Sequence, residues 1–182
     1  QVSNAVSAAG LHCETAYIGR GEEFKSLQTI QQLCESFGQW GITRNDLIIG
    51  VGGGMVTDVA GFAAASWHRG TDVIHVSTSL VGMVDAAIGG KTGVNLAAGK
   101  NLVGAFWQPK AVICDTTFLS TLPIKELRCG HGEMAKYHFL TGDDLVSLEL
   151  DDRVARCVQI KADIVASDER EGGLRALLNY GH

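Results

Sequence analysis

Proline is almost missing from this chain, two residues in 182, so it has neither a polyproline linker nor a Pro-rich disordered tail. Cysteine is sparse and unpatterned. Cys13, Cys34, Cys114, Cys129 and Cys157 are odd in number, widely spaced and never fall as C-x-x-C, which excludes a disulfide framework and a cysteine-built zinc site; buried free thiols in a reducing cytoplasm are expected. No uninterrupted apolar stretch reaches the roughly 18 residues of a membrane span, and no basic segment precedes an apolar one near the start. A soluble, cytoplasmic protein with no membrane partner follows as the expectation. Basic residues are also short: 15 Lys and Arg against 20 Asp and Glu leave a formal charge of -5, without the basic face that nucleic acid would require. Gln1 in place of Met and an end at Gly181-His182 lead us to expect a chain cut short at both ends.

What the chain does have is glycine, 23 residues, within a composition that is 46% hydrophobic and 19% charged. That is the balance of a folded protein with a core, and glycine allows backbone to approach a ligand closely. Between Arg69 and Lys110 the local balance turns basic (Arg69, Lys91, Lys100, Lys110 against Asp72 and Asp85), so a small anionic ligand stays open.

Hydrophobic periodicity divides the chain in two. Thr15 to Ile18 reads as a short strand and Phe24 to Phe37 as a helix. The apolar run Leu47 to Val51 has the character of a strand buried on both faces; Gly52-Gly53-Gly54 and a small-residue helix, Met55 to Ser66, follow it. Val73 to Val76 is the next strand, Ser79 to Ile88 a helix and Ala111 to Cys114 another strand. Strands alternating with helices predict an α/β fold, a parallel-sheet, Rossmann-like NAD-binding domain over residues 1–122. From Pro123 the pattern is helical only: Pro123 to Leu140, Asp143 to Leu150 and Asp152 to Ala166. We read residues 123–182 as the beginning of an all-helical metal- and substrate-binding domain.

Five places carry chemistry. Gly52-Gly53-Gly54-Met55-Val56-Thr57-Asp58 ends a strand and opens a helix, where a pyrophosphate can rest on helix N-H groups; a tight turn with no ligand is the alternative. Asp85 to Asn95, with Gly99-Lys100-Asn101, reads as a Gly-punctuated loop whose lysines and asparagines suit an oxyanion, although the spacing is not that of a P-loop; solvated lysines are the alternative. Lys161 shares the apolar stripe of Val154, Val158 and Val165, so it is either buried against an anion or snorkels from the stripe edge. Glu133 precedes Lys136 by three residues, which by spacing alone is an exposed helix pair. His131 and His138 lie ~10.5 Å apart along a helix, too far to share one ion through ~2 Å bonds. Arg175, Asn179 and His182 fall at i, i+4 and i+7, one face of an α-helix that could bind a carboxylate and a metal.

Taken in order, the strings GGGMVTDVAGF, HVSTSLVGMVDAAIGGKTGVN, GKNLVGAFWQP, DTTFLSTLP, GHGEMAK and LRALLNYGH resemble 3-dehydroquinate synthase over essentially the whole chain. The resemblance implies that Gly53, Gly54 and Asp58 hold the NAD pyrophosphate and that Glu22 and Lys25 meet the adenosine ribose. It implies further cofactor-pocket positions at Thr78, Ser79, Asp85, Lys91, Phe118, Thr121 and Leu122, with Asp85 and Lys91 near the nicotinamide. Glu133 and His182 look like two of three ligands to zinc, or cobalt in its place, the third lying beyond His182. Lys100, Asn101, Lys161, Arg175 and Asn179 look like the substrate shell, and Arg69 resembles an arginine lent across a homodimer to the neighbour's phosphate site. Ser77, Ser79 and Gly132 stand where the family usually has Pro, Thr and Ala.

The activity so implied is that of a carbon-oxygen lyase of the shikimate pathway, on the route to chorismate and the aromatic amino acids. It converts the phosphorylated sugar acid 3-deoxy-D-arabino-heptulosonate 7-phosphate to 3-dehydroquinate and phosphate by transient oxidation with NAD, elimination, reduction and aldol closure. With two of three metal ligands, this exact chain is expected to turn over negligibly. The alternatives are a sister cyclase such as an aminodehydroquinate synthase or, for this chain by itself, a non-catalytic NAD-binding module; an NAD-linked polyol dehydrogenase gives no reason for GGKTGVN and GKN.

Overall fold

The computed structural model describes residues 2–180. In chain order the elements are α1 (Val2–Ala8), α2 (Leu27–Trp40), β1 (Leu47–Gly52), α3 (Gly54–Ser66), β2 (Asp72–Ser77), β3 (Lys91–Leu96), β4 (Gly99–Phe106), β5 (Ala111–Cys114), α4 (Ile124–Thr141) and α5 (Leu150–Ser167). Strands β1, β2 and β5 form a parallel sheet in that order, with Gly50 opposite His75 and His75 opposite Val112. The expected α/β architecture and the helical second half are both present.

The sheet and α3 lie close because the residues between them are small. A Cβ at Gly50 would stand 2.7 Å from the Ala60 Cβ and 3.1 Å from His75 Nδ1, and one at Gly61 would overlap Thr92 at 2.4 Å. His75 is 2% exposed there, and its Nδ1 has no hydrogen-bond partner among the described residues. Burial holds its imidazole down to about 4, so it is neutral at pH 7.

Four sequence expectations are corrected. Thr15 to Ile18 is extended but pairs with no strand among the described residues, and instead walls a cavity of about 290 Å³ against α2. Helix α2 starts at Leu27 rather than Phe24, because the Ser26 hydroxyl caps it by accepting from Thr29 N-H at 3.2 Å. The stretch from Lys91 to Phe106 is no loop: β3 and β4 pair antiparallel, with Gly93 facing Gly104. The glycines had hidden a strand pair whose backbones approach too closely for side chains, since a Cβ at Gly104 would be 2.0 Å from the Thr92 carbonyl oxygen. Asp143 to Leu150 is irregular, because Gly142 ends α4 in the left-handed region and Asp144 and Thr141 take the backbone N-H groups of Ser147 and Asp143.

Two apolar clusters result. Ile30, Leu33, Phe37, Val59, Ala63 and Val94 join α2, α3 and β3; Leu80, Met83, Val84, Met134, Tyr137, Val154, Cys157 and Ile160 join the 79–88 turn to α4 and α5. Of the cysteines, Cys157 is buried as expected, whereas Cys129 is exposed. No helix among the described residues is long and apolar enough to cross a membrane.

Helix α4 meets the turn through Gly130, where a Cβ would fall 2.4 Å from Leu80. Gly130→Ala is expected to cost about 1–3 kcal/mol through overpacking, read as a lower urea midpoint at unchanged m. His75 gives a pH signature. Its folded pKa lies below the unfolded value, so its contribution is complete above about 6.5 and is lost as pH falls towards about 4. His75→Gln should therefore remove on the order of 2 kcal/mol from the stability difference between pH 7 and pH 4.5; equal slopes for variant and wild type would contradict this.

Candidate functional site

At the end of β1 the chain turns through Gly53, extended at φ -78, into α3. Val56 and Thr57 N-H groups close onto the Gly53 carbonyl at 2.9 and 3.1 Å, while the N-H groups of the first turn point out of the helix end. A Cβ on Gly53 would come within 3.1 Å of Ser79 Oγ and one on Gly54 within 2.8 Å of the Ala86 Cβ. The glycines thus let the helix N-terminus pack directly against the 79–86 turn, which leaves backbone N-H groups of the first helical turn at that junction. Thr78 and Ser79 lie beside it: Thr78 N-H donates to the Gly52 carbonyl at 2.9 Å, and Ser79 Oγ accepts from Gly82 N-H at 3.2 Å.

Asp58, one turn into α3, accepts from Lys25 Nζ at 2.5 Å. The same ammonium donates to Asn101 Oδ1, also at 2.5 Å. Burial pushes the Asp58 carboxyl up to about 6, against the pull of the Lys25 charge. Glu22 belongs to the same corner, accepting from Asn95 Nδ2 at 2.8 Å.

The stretch expected as a helix from Ser79 to Ile88 contains a π-helical turn, Gly82–Ala86. Val84 O accepts from Tyr137 Oη at 2.9 Å, and Asp85 O accepts from Lys161 Nζ at 2.6 Å. Lys161 also forms an ion pair with the Asp85 carboxylate. Lys161 is 6% exposed, so of its two sequence readings the buried one holds. Burial lowers its pKa and the Asp85 charge opposes that shift.

The last described segment folds back over the hairpin. Asp168 accepts the N-H groups of Gly172, Gly173 and Arg175 at 2.8, 2.8 and 3.0 Å, and these bonds hold its carboxyl below the usual range. Residues 174–179 are 3-10 rather than α-helical. At three residues per turn Arg175 and Asn179 do not share the predicted face. Arg175, 1% exposed, donates through Nη2 to Gly89 O at 2.8 Å and through Nη1 to Glu169 O. Asn179 donates to Glu171, which pairs with Lys91. His182, the final predicted metal ligand, lies outside the described residues.

These parts enclose a cavity of about 590 Å³, whose lining includes Asp58, Asp85, Lys91, Asn101, Lys161, Arg175 and Asn179. Seven side chains singled out in the sequence therefore converge from α3, the π-turn, the hairpin, α5 and the final segment. Others do not reach it. Lys100 is 76% exposed and stands 3.9 Å from Glu22. Phe118, Thr121 and Leu122 lie in and after the 3-10 turn Thr116–Thr121, outside the lining. Arg69 is exposed at φ 62 in the turn beyond the far end of α3.

Glu133 pairs with Lys136 as the spacing suggested, but both side chains are buried, not exposed. Lys136 also donates to Leu178 O at 2.6 Å. No group of three or more His, Cys, Asp and Glu that could hold a metal ion occurs among the described residues. Two functional candidates escaped the sequence reading. Glu171 sits in an aperiodic polar stretch at φ 60, where no pattern marks it. Lys136 had a signal in its neighbour Tyr137, which stands seven residues after Gly130 and three after Met134 and so shares their helical face.

Known proteins bear on this geometry directly. The family model described as 3-dehydroquinate synthase N-terminal matches residues 15–129, and that described as 3-dehydroquinate synthase C-terminal matches residues 130–182. The chain is 54% identical, over 89% of its length and 46% of the relative's, to a protein of Amycolatopsis mediterranei (strain S699) named "Putative aminodehydroquinate synthase". It is 44% identical to the 3-dehydroquinate synthase of Corynebacterium jeikeium (strain K411), over 100% of this chain and 53% of the relative. Among solved structures it is similar to 2-deoxy-scyllo-inosose synthase complexed with carbaglucose-6-phosphate, NAD+ and Co2+, with TM-score 0.90 and 30% identity over 100% of this chain and 55% of the other. The chain spans about half the length of the curated relatives it matches. Sequence, fold and the convergence of its polar side chains agree: this chain belongs to the 3-dehydroquinate synthase family.

Proposed function

We propose that this chain supplies the cofactor cleft and most of the substrate cavity of a 3-dehydroquinate synthase, which converts 3-deoxy-D-arabino-heptulosonate 7-phosphate to 3-dehydroquinate and phosphate. The observation that carries the reading is the 590 Å³ cavity, which collects three cations and two carboxamides from distant parts of the chain. A substrate bearing both phosphate and carboxylate needs such a set.

The cavity's cations are already engaged before anything binds: Lys91 pairs with Glu171, Lys161 with Asp85, and Arg175 donates to the Gly89 and Glu169 carbonyls, while Asp58 is held by Lys25. An anion must therefore displace an internal partner. The Lys91–Glu171 pair is the one to yield, because its side chains are 43% and 24% exposed whereas Lys161 is nearly sealed. Exposed pairs are worth only about 0–1 kcal/mol. Lys161 and Arg175 stay fixed to Asp85 and Gly89 and set the shape against which the substrate is oriented. Asn101 and Asn179 offer carboxamides to it, and Lys100 joins from outside the described lining.

NAD is assigned to the Gly53 and Gly54 turn, with Asp58 at the pyrophosphate, Asp85 and Lys91 towards the nicotinamide and Glu22 and Lys25 towards the ribose; Thr78, Ser79, Phe118, Thr121 and Leu122 are assigned to the rest of its pocket. When bound, it supplies reversible hydride acceptance, so that it is not consumed. The donors among the described residues do not complete a zinc or cobalt site; Glu133 and His182 would supply two of its ligands. The division between a cofactor domain and a helical metal domain is placed at Leu122. Arg69 is about 20 Å along α3 from the glycine cleft, the length of 13 helical residues, so its proposed phosphate contact is with a second copy in a homodimer. The cytoplasm is the proposed location.

A sister activity on the aminated substrate has specific support in the 54% identical relative. Offering the gene product both substrates with NAD and Zn2+ separates them by product mass: dehydroquinate, phosphate and no net NADH are expected, and exclusive formation of the aminated product would replace the reading. The 182-residue chain by itself should release phosphate no faster than its Glu133→Ala variant.

Calorimetric titration of the chain with NAD should show saturable binding, and Gly53→Ala should weaken it at least about tenfold, because the added methyl enters the cleft at 3.1 Å from Ser79 Oγ. Unchanged affinity would remove the pyrophosphate from this turn.

A further inference from the structure

The resemblance places Lys25 on the adenosine ribose, yet in the structure its ammonium is spent elsewhere. Lys25 is 6% exposed and divides its donors between Asp58 Oδ2 and Asn101 Oδ1, both at 2.5 Å. The surrounding bonds fix the same junction. Asn95 N-H donates to Lys25 O at 2.8 Å, and Asn101 N-H donates to Asn95 Oδ1 at 2.9 Å. Asn101 itself is held at φ 55, in the left-handed region, a conformation that asparagine tolerates but that still has to be held.

We propose that Lys25 is a positioning residue for Asn101, turning its carboxamide so that the Nδ2 donors, and not the carbonyl oxygen, face the cavity. This rests on the reading of that cavity as an oxyanion site. The chemistry is one of exclusion. An ammonium has only donors, so the amide end beside it must be the oxygen. Asn101 lines the cavity, and with its oxygen engaged the end left for a ligand is the one that donates. A phosphate or carboxylate oxygen accepts from it; a hydroxyl-only ligand gains less. Without Lys25 the amide can flip and meet an anion with its own oxygen, which repels it. Asp58 completes the device by pairing with the buried ammonium from the other side, so that Lys25 directs the amide as one half of an ion pair.

Inorganic phosphate titrated into the NAD-free chain, followed through the backbone amide resonances of the cavity lining such as Lys91 and Gly104, tests this. Asn101→Ala should weaken phosphate about tenfold, and Lys25→Met should do the same. The double variant should be no weaker than Asn101→Ala alone, since Lys25 acts through that side chain. A Lys25 that serves only the ribose would leave phosphate binding untouched without NAD, and one that acts through its own charge would give losses that multiply; either result overturns the proposal. Should Lys25→Met unfold because Asp58 loses its partner, Lys25→Met with Asp58→Asn, compared with Asp58→Asn alone, carries the same test. Absence of phosphate binding in wild type, or indifference to Asn101→Ala, would instead bring down the oxyanion reading beneath it.

Discussion

The site depends on one buried ion pair, Lys161 with Asp85. An ammonium taken out of water loses several kcal/mol of hydration unless a partner replaces it, and here Asp85 replaces it twice. The π-turn offers both the carboxylate of Asp85 and its backbone carbonyl. That carbonyl also accepts from Ile88 N-H at 2.9 Å, so Lys161 is a second donor to it. The turn thereby lets α5 bring a cation down onto the sheet half, and its Ala86 packs against Gly54. Tyr137 repeats the device one carbonyl earlier, which ties α4 to the same turn.

Once that joint is made, the charges in the cavity can be arranged only as exchangeable pairs. Three acids and three bases share one space, and a surplus of either sign would cost stability in the ligand-free protein. Ion pairs hold Lys91 and Lys161, and backbone carbonyls hold Arg175, so the cations needed for an anionic ligand are stored with partners. The pairs differ in burial, and that difference ranks them: the open one gives way and the sealed ones hold shape. Asp58, with its carboxyl raised to about 6 by burial, marks how closely the balance is drawn, since even beside Lys25 it resists ionisation more than an ordinary carboxylate.

Much of this was legible in the residues. Lys161 announced itself by sitting on an apolar stripe, and the strand-glycine-helix sequence at Gly52 to Asp58 was read for what it is, because both signals are local and periodic. The hairpin was not legible: its glycines are depleted in strands in general, and they make sense only in pairs across two strands, which a single stretch of sequence does not display. Asp143 to Leu150 looked helical by composition, whereas side-chain capping by Asp144 and Thr141 decided otherwise. Arg175 and Asn179 line the cavity but stand on a 3-10 turn rather than on the α-helical face expected of them, and nothing periodic could have marked Glu171.

The paired glycines at 93 and 104 bear more than close packing. With no Cβ on either, the two strands draw together until β3 also seats against α3, where Gly61 makes room for Thr92. Gly50 makes the matching room on the sheet side, beside Ala60 and His75. Three small-residue contacts therefore set the distance from sheet to helix to hairpin, and Lys25, Asp58 and Asn101 can meet at hydrogen-bond length only if all three are kept. A methyl group added at Gly61 would push β3 outward and lengthen the Asn101 contact before it touched any polar residue, so the polar site is specified by apolar spacing well away from it.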